Sequence, residues 1–304
     1  MDGRRMLSSL LVSLVLLPAC STVTDTPPTA AQARTMAVNG TTLTYIDQGQ
    51  GPTVVIVHGA FSDARNWDGI RAIVAQRYRV VVPSLRYHHP NAWSDDGEKY
   101  SLVQHVDDMA ALIRGLDVGK VDVVANSMGS RITAYLALRH PELVRSMVLG
   151  EPFVVVPTSA EAKAAITDWQ KDAAQSAAAA RDGDMQRSAR LLYSAVLGDP
   201  QAFDKASPTV QQRTMDNARS MGPYSRQPAA PPVTCEAFGK LGIPALVVLG
   251  GSTRAVFEHG ARTMAACLGD SGRLVVLPGG RHDWFAAMPE AGAKEILAFL
   301  ERQR

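Results

Sequence analysis

The feature that most constrains the fold is a regular alternation of short apolar runs with segments of helical spacing. The stretches "TVVIVHG" (53–59) and "YRVVVPSL" (78–85) are almost continuously apolar, as strands are when both of their faces are buried. Segments such as 101–116 and 128–140 follow such runs and repeat their apolar residues with helical spacing. Because parallel strands need crossover connections, this alternation predicts an α/β fold with a mostly parallel, doubly wound sheet.

Two regions depart from this rhythm. The segment "TMAVNGTTLTYIDQG" (35–49) alternates around Asn39-Gly40, which is the pattern of a tight hairpin. Residues 153–232 are rich in alanine and other helix formers and contain no strand-like run. We therefore predict a core made of residues 34–152 and 233–304, with residues 153–232 inserted as a helical cap.

The N-terminus is a separate element. Residues 1–19 have a basic start, a short apolar stretch and then small residues, which indicates a secretory signal too short to span a membrane. The sequence "LPAC" resembles a bacterial lipobox, which implies that Cys20 is lipidated; the alternative is an ordinary signal in which Cys20 is incidental. Residues 20–33 lack apolar periodicity and are predicted to form a flexible tether.

Export determines the expected location and the state of the cysteines. By the same resemblance, Ser21 in place of aspartate after Cys20 favours the periplasmic side of the outer membrane. In that oxidising compartment Cys235 and Cys267 form either a disulfide or a pair of buried free thiols, and the sequence leaves both open. The net charge of +2 argues against nucleic-acid binding. We expect no metal and no cofactor, only a small-molecule substrate.

Chemistry is concentrated at Ser127, within "VDVVANSMGSRI" (121–132). An apolar strand there runs directly into a helix, and the serine is flanked two residues away by the small residues Ala125 and Gly129. A serine hydroxyl needs a base and a stabilised oxyanion before it can attack, and a helix N-terminus supplies N–H groups. The motif is G-x-S-x-G with Ala125 in place of the first glycine, and it predicts that Ser127 is a nucleophile.

With this motif, "VIVHGAFSDARNW" (55–67) and "LVVLPGGRHDWF" (274–285), the chain from about residue 35 to 302 resembles the α/β-hydrolase family. The resemblance implies that the backbone N–H groups of Ala60 and Met128 form an oxyanion hole, with Phe61 as the alternative to Ala60. It also implies that His282 is the catalytic base.

The acid that should support His282 is less obvious. The family's usual acid position falls at Thr253, which carries no charge. Glu151 ends the strand after the nucleophile helix, where some relatives, including certain haloalkane dehalogenases, place their acid. We therefore predict Glu151 as the acid and Asp283 as a weaker alternative; a Ser–His dyad, with Glu151 binding the cap or backbone amides, is also open. His88 and His89 are read as rim residues near the mouth of the pocket.

The serine predicts a hydrolase of a small, partly apolar ester or lactone. Family members that use an aspartate nucleophile, the dehalogenases and epoxide hydrolases, are excluded by Ser127. A C–C hydrolase, a cofactor-free peroxidase and a non-catalytic ligand-binding relative remain alternatives. Apolar residues of the cap either line the pocket or pack the cap onto itself, and 214–221 is a candidate for a polar group in the pocket; the apolar set is Ile166, Trp169, Leu191, Leu192, Tyr193, Met215 and Met221.

Overall fold

The computed structural model describes residues 30–304. The predicted signal peptide, the predicted lipidation site at Cys20 and most of the predicted tether lie outside the described residues. The eight strands are β1 (Gln32–Val38), β2 (Thr41–Gln48), β3 (Thr53–Val57), β4 (Arg79–Pro83), β5 (Val121–Asn126), β6 (Val144–Gly150), β7 (Ala245–Gly250) and β8 (Gly272–Leu277).

The strands form one sheet in the order β1-β2-β4-β3-β5-β6-β7-β8. Strands β1, β2 and β4 pair antiparallel, and every pairing from β4 through β3 to β8 is parallel. Every residue of β3, β5 and β7 is buried, as expected when helices cover both faces. The predicted α/β class with a mostly parallel sheet is confirmed.

The hairpin at the start of the sheet confirms one prediction and corrects another. Asn39 and Gly40 both have positive φ, 41° and 75°, which is the geometry of a two-residue type I′ turn. The tether is predicted to extend to residue 33, but β1 already begins at Gln32, which pairs with Asp47. The residues from Gln32 to Thr35 are exposed, so backbone pairing rather than an apolar pattern holds them in the sheet.

Twelve helices accompany the sheet in the described chain. The bounds are α1 (Asp68–Val74), α2 (Leu102–Gly115), α3 (Met128–Arg139), α4 (Ala160–Arg181), α5 (Met185–Leu197), α6 (Ala202–Lys205), α7 (Pro208–Asp216), α8 (Met221–Arg226), α9 (Cys235–Gly239), α10 (Ala255–Leu268), α11 (Trp284–Ala287) and α12 (Pro289–Glu301). Helices α2, α3 and α10 bury their apolar residues against one face, and α1 and α12 bury theirs against the other. No helix among residues 30–304 combines the length and hydropathy needed to cross a bilayer.

The region between β6 and β7 is helical from α4 to α8 and forms the cap. Its own small core includes Leu192 and Met221. Charged contacts join it to the rest of the chain. Arg254 at the start of α10 binds Asp168 and Asp172 of α4, each at 2.7 Å. On the other side, Asp216 of α7 pairs with Arg65 at 2.7 Å.

The two cysteines left open by the sequence are bonded in the structure. A disulfide links Cys235, the first residue of α9, to Cys267 near the end of α10. It ties the chain leaving the cap to a helix that covers the sheet.

Candidate active site

Ser127 occupies a sharp turn between β5 and α3. Its backbone has φ 57° and ψ −121°, a conformation that residues other than glycine rarely adopt. The Ser127 N–H donates to the carbonyl of Gly150 at 2.8 Å, so the neighbouring strand helps to hold this turn. The conformation places the serine at the N-terminus of α3, where backbone N–H groups have no partner within the helix.

Small residues allow the backbone to close around the serine. A Cβ atom at Gly129 would lie 2.2 Å from the carbonyl oxygen of Val57, so the start of α3 packs directly on the end of β3. A Cβ at Gly59 would lie 3.4 Å from the Cβ of Ser127. Larger side chains at these positions would separate the loop after β3 from the serine.

His58 orients the loop after β3. Its Nδ1 donates to the Gly59 carbonyl at 2.7 Å, and its Nε2 accepts from the N–H of Leu85 at 2.9 Å. Burial lowers the pKa of His58 to about 4, which keeps the ring neutral. In a trans peptide the carbonyl and the following N–H point in opposite directions, so the N–H of Ala60 is turned away from His58. Ala60 and Phe61 both line the cavity that contains Ser127, and each stays a candidate oxyanion donor.

His282 and Glu151 meet above the sheet. The Nδ1 of His282 lies 2.5 Å from Oε2 of Glu151, and the Glu151 side chain is fully buried. The N–H of Gly250 donates to Oε1 at 2.9 Å, and the hydroxyl of Thr253 donates to Oε2 at 2.8 Å. These donors offset the cost of removing a carboxylate from water. With Nδ1 donating to the carboxylate, Nε2 of His282 is left to accept a proton.

Thr253 has a part in the site that the sequence reasoning missed. The sequence shows only that Thr253 stands where relatives carry an acidic residue, whereas in the structure its hydroxyl binds the carboxylate of Glu151, the residue that follows β6. A hydroxyl residue at the usual acid position, combined with a glutamate after β6, is the signal that could have identified this contact. The ring of Phe257 also packs on His282, with ring centroids 4.0 Å apart.

Asp283, the alternative acid, lies elsewhere. Its Oδ1 is buried and has no hydrogen-bond partner among the described residues, and Nε of Arg281 is 4.0 Å away. Asp283 is part of the wall of the cavity that contains Ser127, and Glu151, not Asp283, contacts Nδ1 of His282.

The cavity that contains Ser127 and His282 has a volume of about 80 Å³. The cap contributes Tyr193, Val196, Leu197, Val210 and Thr214 to its lining. Of the apolar cap residues named from the sequence, Tyr193 alone is among those that line the cavity, and four of the others (Trp169, Leu192, Met215 and Met221) pack within the cap. Thr214 is the one member of 214–221 that lines it.

The interpretation of His88 as a rim residue is wrong. Its ring is buried, with centroids 4.9 Å from His58 and 6.2 Å from His105, and burial holds its pKa well below the usual value. The residue just before it, Tyr87, has a left-handed backbone conformation with φ 68°. His89 is partly buried, and its N–H donates to Asn217 of the cap at 2.8 Å.

Similarity to known proteins agrees with this architecture. Residues 52–286 match the model of a protein family whose description is 'alpha/beta hydrolase fold'. The match covers most of the chain, so the protein belongs to the α/β-hydrolase family, and the coarse activity that family and relatives support is that of a hydrolase. Within residues 30–304, no group of three or more His, Cys, Asp or Glu residues could hold a metal ion.

Individual relatives are distant. An uncharacterised protein of Mycobacterium tuberculosis is 30% identical over 127 residues, 42% of this chain and 36% of that protein, so the chain spans about a third of its length. The 2-hydroxy-6-oxo-6-(2'-aminophenyl)hexa-2,4-dienoic acid hydrolase of Metapseudomonas resinovorans is 25% identical over 95% of this chain and 97% of its own. An esterase from Thermogutta terrifontis has a similar fold, with a TM-score of 0.70, 20% identity, and coverage of 90% and 99%.

The buried histidines predict that the fold weakens in mild acid. The pKa of an unfolded histidine is about 6.5, whereas burial lowers the pKa of His58 and His105 to about 4. Between these values the unfolded chain binds protons that the folded chain does not. The free energy of unfolding should therefore fall as the pH drops from about 6.5 to about 4, by roughly 1 kcal/mol per pH unit for each such histidine. Urea unfolding at several pH values measures this slope.

His105→Gln is the matched variant for this measurement. Both ring nitrogens of His105 are buried without a partner in the described chain, and glutamine does not titrate. We expect a smaller pH slope in the variant, reduced by the contribution of one group. Identical slopes would show that His105 is not kept neutral by burial.

The contacts of Glu151 generate a second prediction. Glu151→Gln keeps the shape of the side chain but removes the charge beside His282, and we expect kcat on a neutral aryl ester to fall by about 10³–10⁴-fold. Asp283→Asn should change the same kcat by less than about tenfold, because Asp283 does not contact the ring nitrogen that Glu151 binds. Equal, mild effects of both substitutions would reject Glu151 as the acid.

Proposed function

We propose that this protein is a serine hydrolase in which Ser127, His282 and Glu151 act as nucleophile, base and acid. The observation that carries the proposal is the 2.5 Å contact between Nδ1 of His282 and Glu151, at a cavity that Ser127 also lines. Because Glu151 accepts from Nδ1, the imidazole is held in the tautomer whose Nε2 can take the serine proton.

The reaction follows from these roles. Oγ of Ser127 forms a bond to the substrate carbonyl carbon while its proton passes to Nε2 of His282. The resulting oxyanion binds the N–H of Met128 and that of Ala60, or of Phe61 as the alternative. The bond to the alcohol then breaks, His282 returns the proton to the leaving oxygen, and water cleaves the acyl-enzyme by the same steps in reverse. Glu151 stabilises the imidazolium and is not itself protonated.

The cavity favours a small ester or lactone. Its volume of about 80 Å³ suits a short acyl group, and side chains such as Phe61, Val196, Leu197 and Phe285 make its wall largely apolar. An activated serine most simply transfers an acyl group to water.

A C–C hydrolase is the second candidate, favoured by the similarity over nearly the whole chain to the hydrolase of a dienoic acid. A substrate that carries a carboxylate needs a cationic partner when it is removed from water. Among the described residues that line the cavity, none is lysine or arginine. We therefore place ester hydrolysis first.

Labelling with a fluorophosphonate probe tests the proposal, because only an activated serine reacts. We expect one label per chain, mapped to Ser127 by peptide mass spectrometry, and none in Ser127→Ala. Ser252→Ala removes an exposed serine and should label like the wild type. A wild-type chain that stays unlabelled would favour the non-catalytic, ligand-binding alternative.

We also propose that the protein is exported and held at the periplasmic face of a bacterial outer membrane through lipid on Cys20. The support is the sequence of the first twenty residues, which ends in "LPAC". In a bacterial host, the wild type should sediment with membranes and require detergent for extraction, while Cys20→Ser should be found in the soluble periplasmic fraction. Equal sedimentation of both proteins would exclude the lipid anchor.

A further inference from the structure

Asp283 gives the catalytic cavity a negative charge that the proposed reaction does not use. The other acidic side chain of the site, Glu151, is bound to His282, Thr253 and Gly250. The Oδ1 atom of Asp283 is buried and accepts no hydrogen bond from the described residues. The Asp283 side chain as a whole is 24% exposed and lines the cavity, so its charge acts on a ligand there, and a positively charged ligand is favoured.

The position of Asp283 places it in the path of a substrate. Four residues, Tyr193, Val210, Asp283 and Ala286, line both the catalytic cavity and an outer cavity of about 230 Å³. The boundary between the two cavities is therefore formed by one carboxylate and three side chains without charge. The carboxylate of Asp283 is close enough to Tyr193 to act on it electrostatically. Burial, together with the negative charge of Asp283, raises the pKa of Tyr193 to about 12.

The remaining charges of the outer cavity do not neutralise Asp283. Asp199 and Lys205 form an ion pair with each other at 3.0 Å. Arg281 is 44% exposed, and its Nε lies 4.0 Å from Oδ1 of Asp283, beyond hydrogen-bonding distance. The guanidinium lines the same outer cavity and is partly solvated, so at this distance it weakens the charge of Asp283 only in part.

We propose that Asp283 determines which charge a substrate can carry. The part of the substrate that lies at the boundary between the two cavities, next to Asp283, is cationic or uncharged. A substrate with an anionic group at this position is rejected. A carboxylate at this boundary would leave water and meet a second carboxylate, whereas an ammonium group would be attracted to it. The inference rests on the proposed hydrolase function and adds the class of substrate. It makes Asp283 a specificity-determining residue.

Three thioacetates of similar size test this, with the released thiol measured by a chromogenic disulfide. Acetylthiocholine carries a positive charge, S-(3,3-dimethylbutyl) thioacetate is its neutral isostere, and S-acetyl-3-mercaptopropionate is anionic. In the wild type we expect kcat/KM for the anionic ester to be at least about tenfold below the neutral one, and the cationic ester to be turned over fastest. Asp283→Asn should bring the three values to within about threefold of one another.

Asp204→Asn is the matched control, since it removes the same charge from an exposed site that does not line either cavity. It should keep the wild-type ranking. An anionic ester turned over as fast as the neutral one, or a ranking that survives Asp283→Asn, would overturn the inference.

The same experiment separates this inference from the function on which it rests. Equal turnover of all three esters, or turnover of none, with Ser127 still labelled by the fluorophosphonate would overturn the inference alone. Loss of both labelling and turnover would overturn the hydrolase proposal and this inference with it. The wild-type ranking is informative even if Asp283→Asn fails to fold.

Discussion

The hydrogen bond between Glu151 and His282 is the contact around which the proposed catalytic end of the sheet is organised. Glu151 follows β6, His282 follows β8, and β7 lies between these strands in the sheet. The loop that carries His282 passes close to the end of β7. A Cβ atom at Gly250 would lie 2.6 Å from the carbonyl oxygen of Gly280, so a glycine there lets the histidine loop approach. The Gly250 N–H is then free to bind Glu151.

The segment after β7 contacts both the proposed catalytic residues and the cap. The Thr253 hydroxyl binds Glu151, and the ring of Phe257 packs on His282. Between them in sequence, Arg254 binds Asp168, Asp172 and the carbonyl of Ala195 in the cap. A displacement of the cap would therefore shift the contacts of Glu151 and His282, because the residues that make them are close in sequence to Arg254. The cap is therefore connected to the proposed catalytic residues in addition to forming part of the cavity wall.

The loop after β3, which carries the proposed oxyanion donors, is also attached to the cap. His58 holds its first carbonyl, and Asp63 ends it, accepting hydrogen bonds from Arg65 and from Asn217 of the cap. These donors lower the pKa of Asp63 despite its burial, so it stays ionised at neutral pH. Core and cap thus share charged contacts in two places, after β7 and after β3.

The sequence by itself determined the architecture, because strand and helix periodicities and the small residues beside Ser127 are local properties of the chain. It also indicated the candidate residues Ser127, His282 and Glu151, since parallel strands bring their carboxyl ends to one edge of a sheet. Tertiary structure alone decided which carboxylate meets His282, that Thr253 supports it, and that Asp283 faces the cavity instead. It also buried His88 and started β1 at Gln32. These outcomes depend on loop paths and contacts between residues far apart in the chain, where no periodic pattern records which side chains will meet.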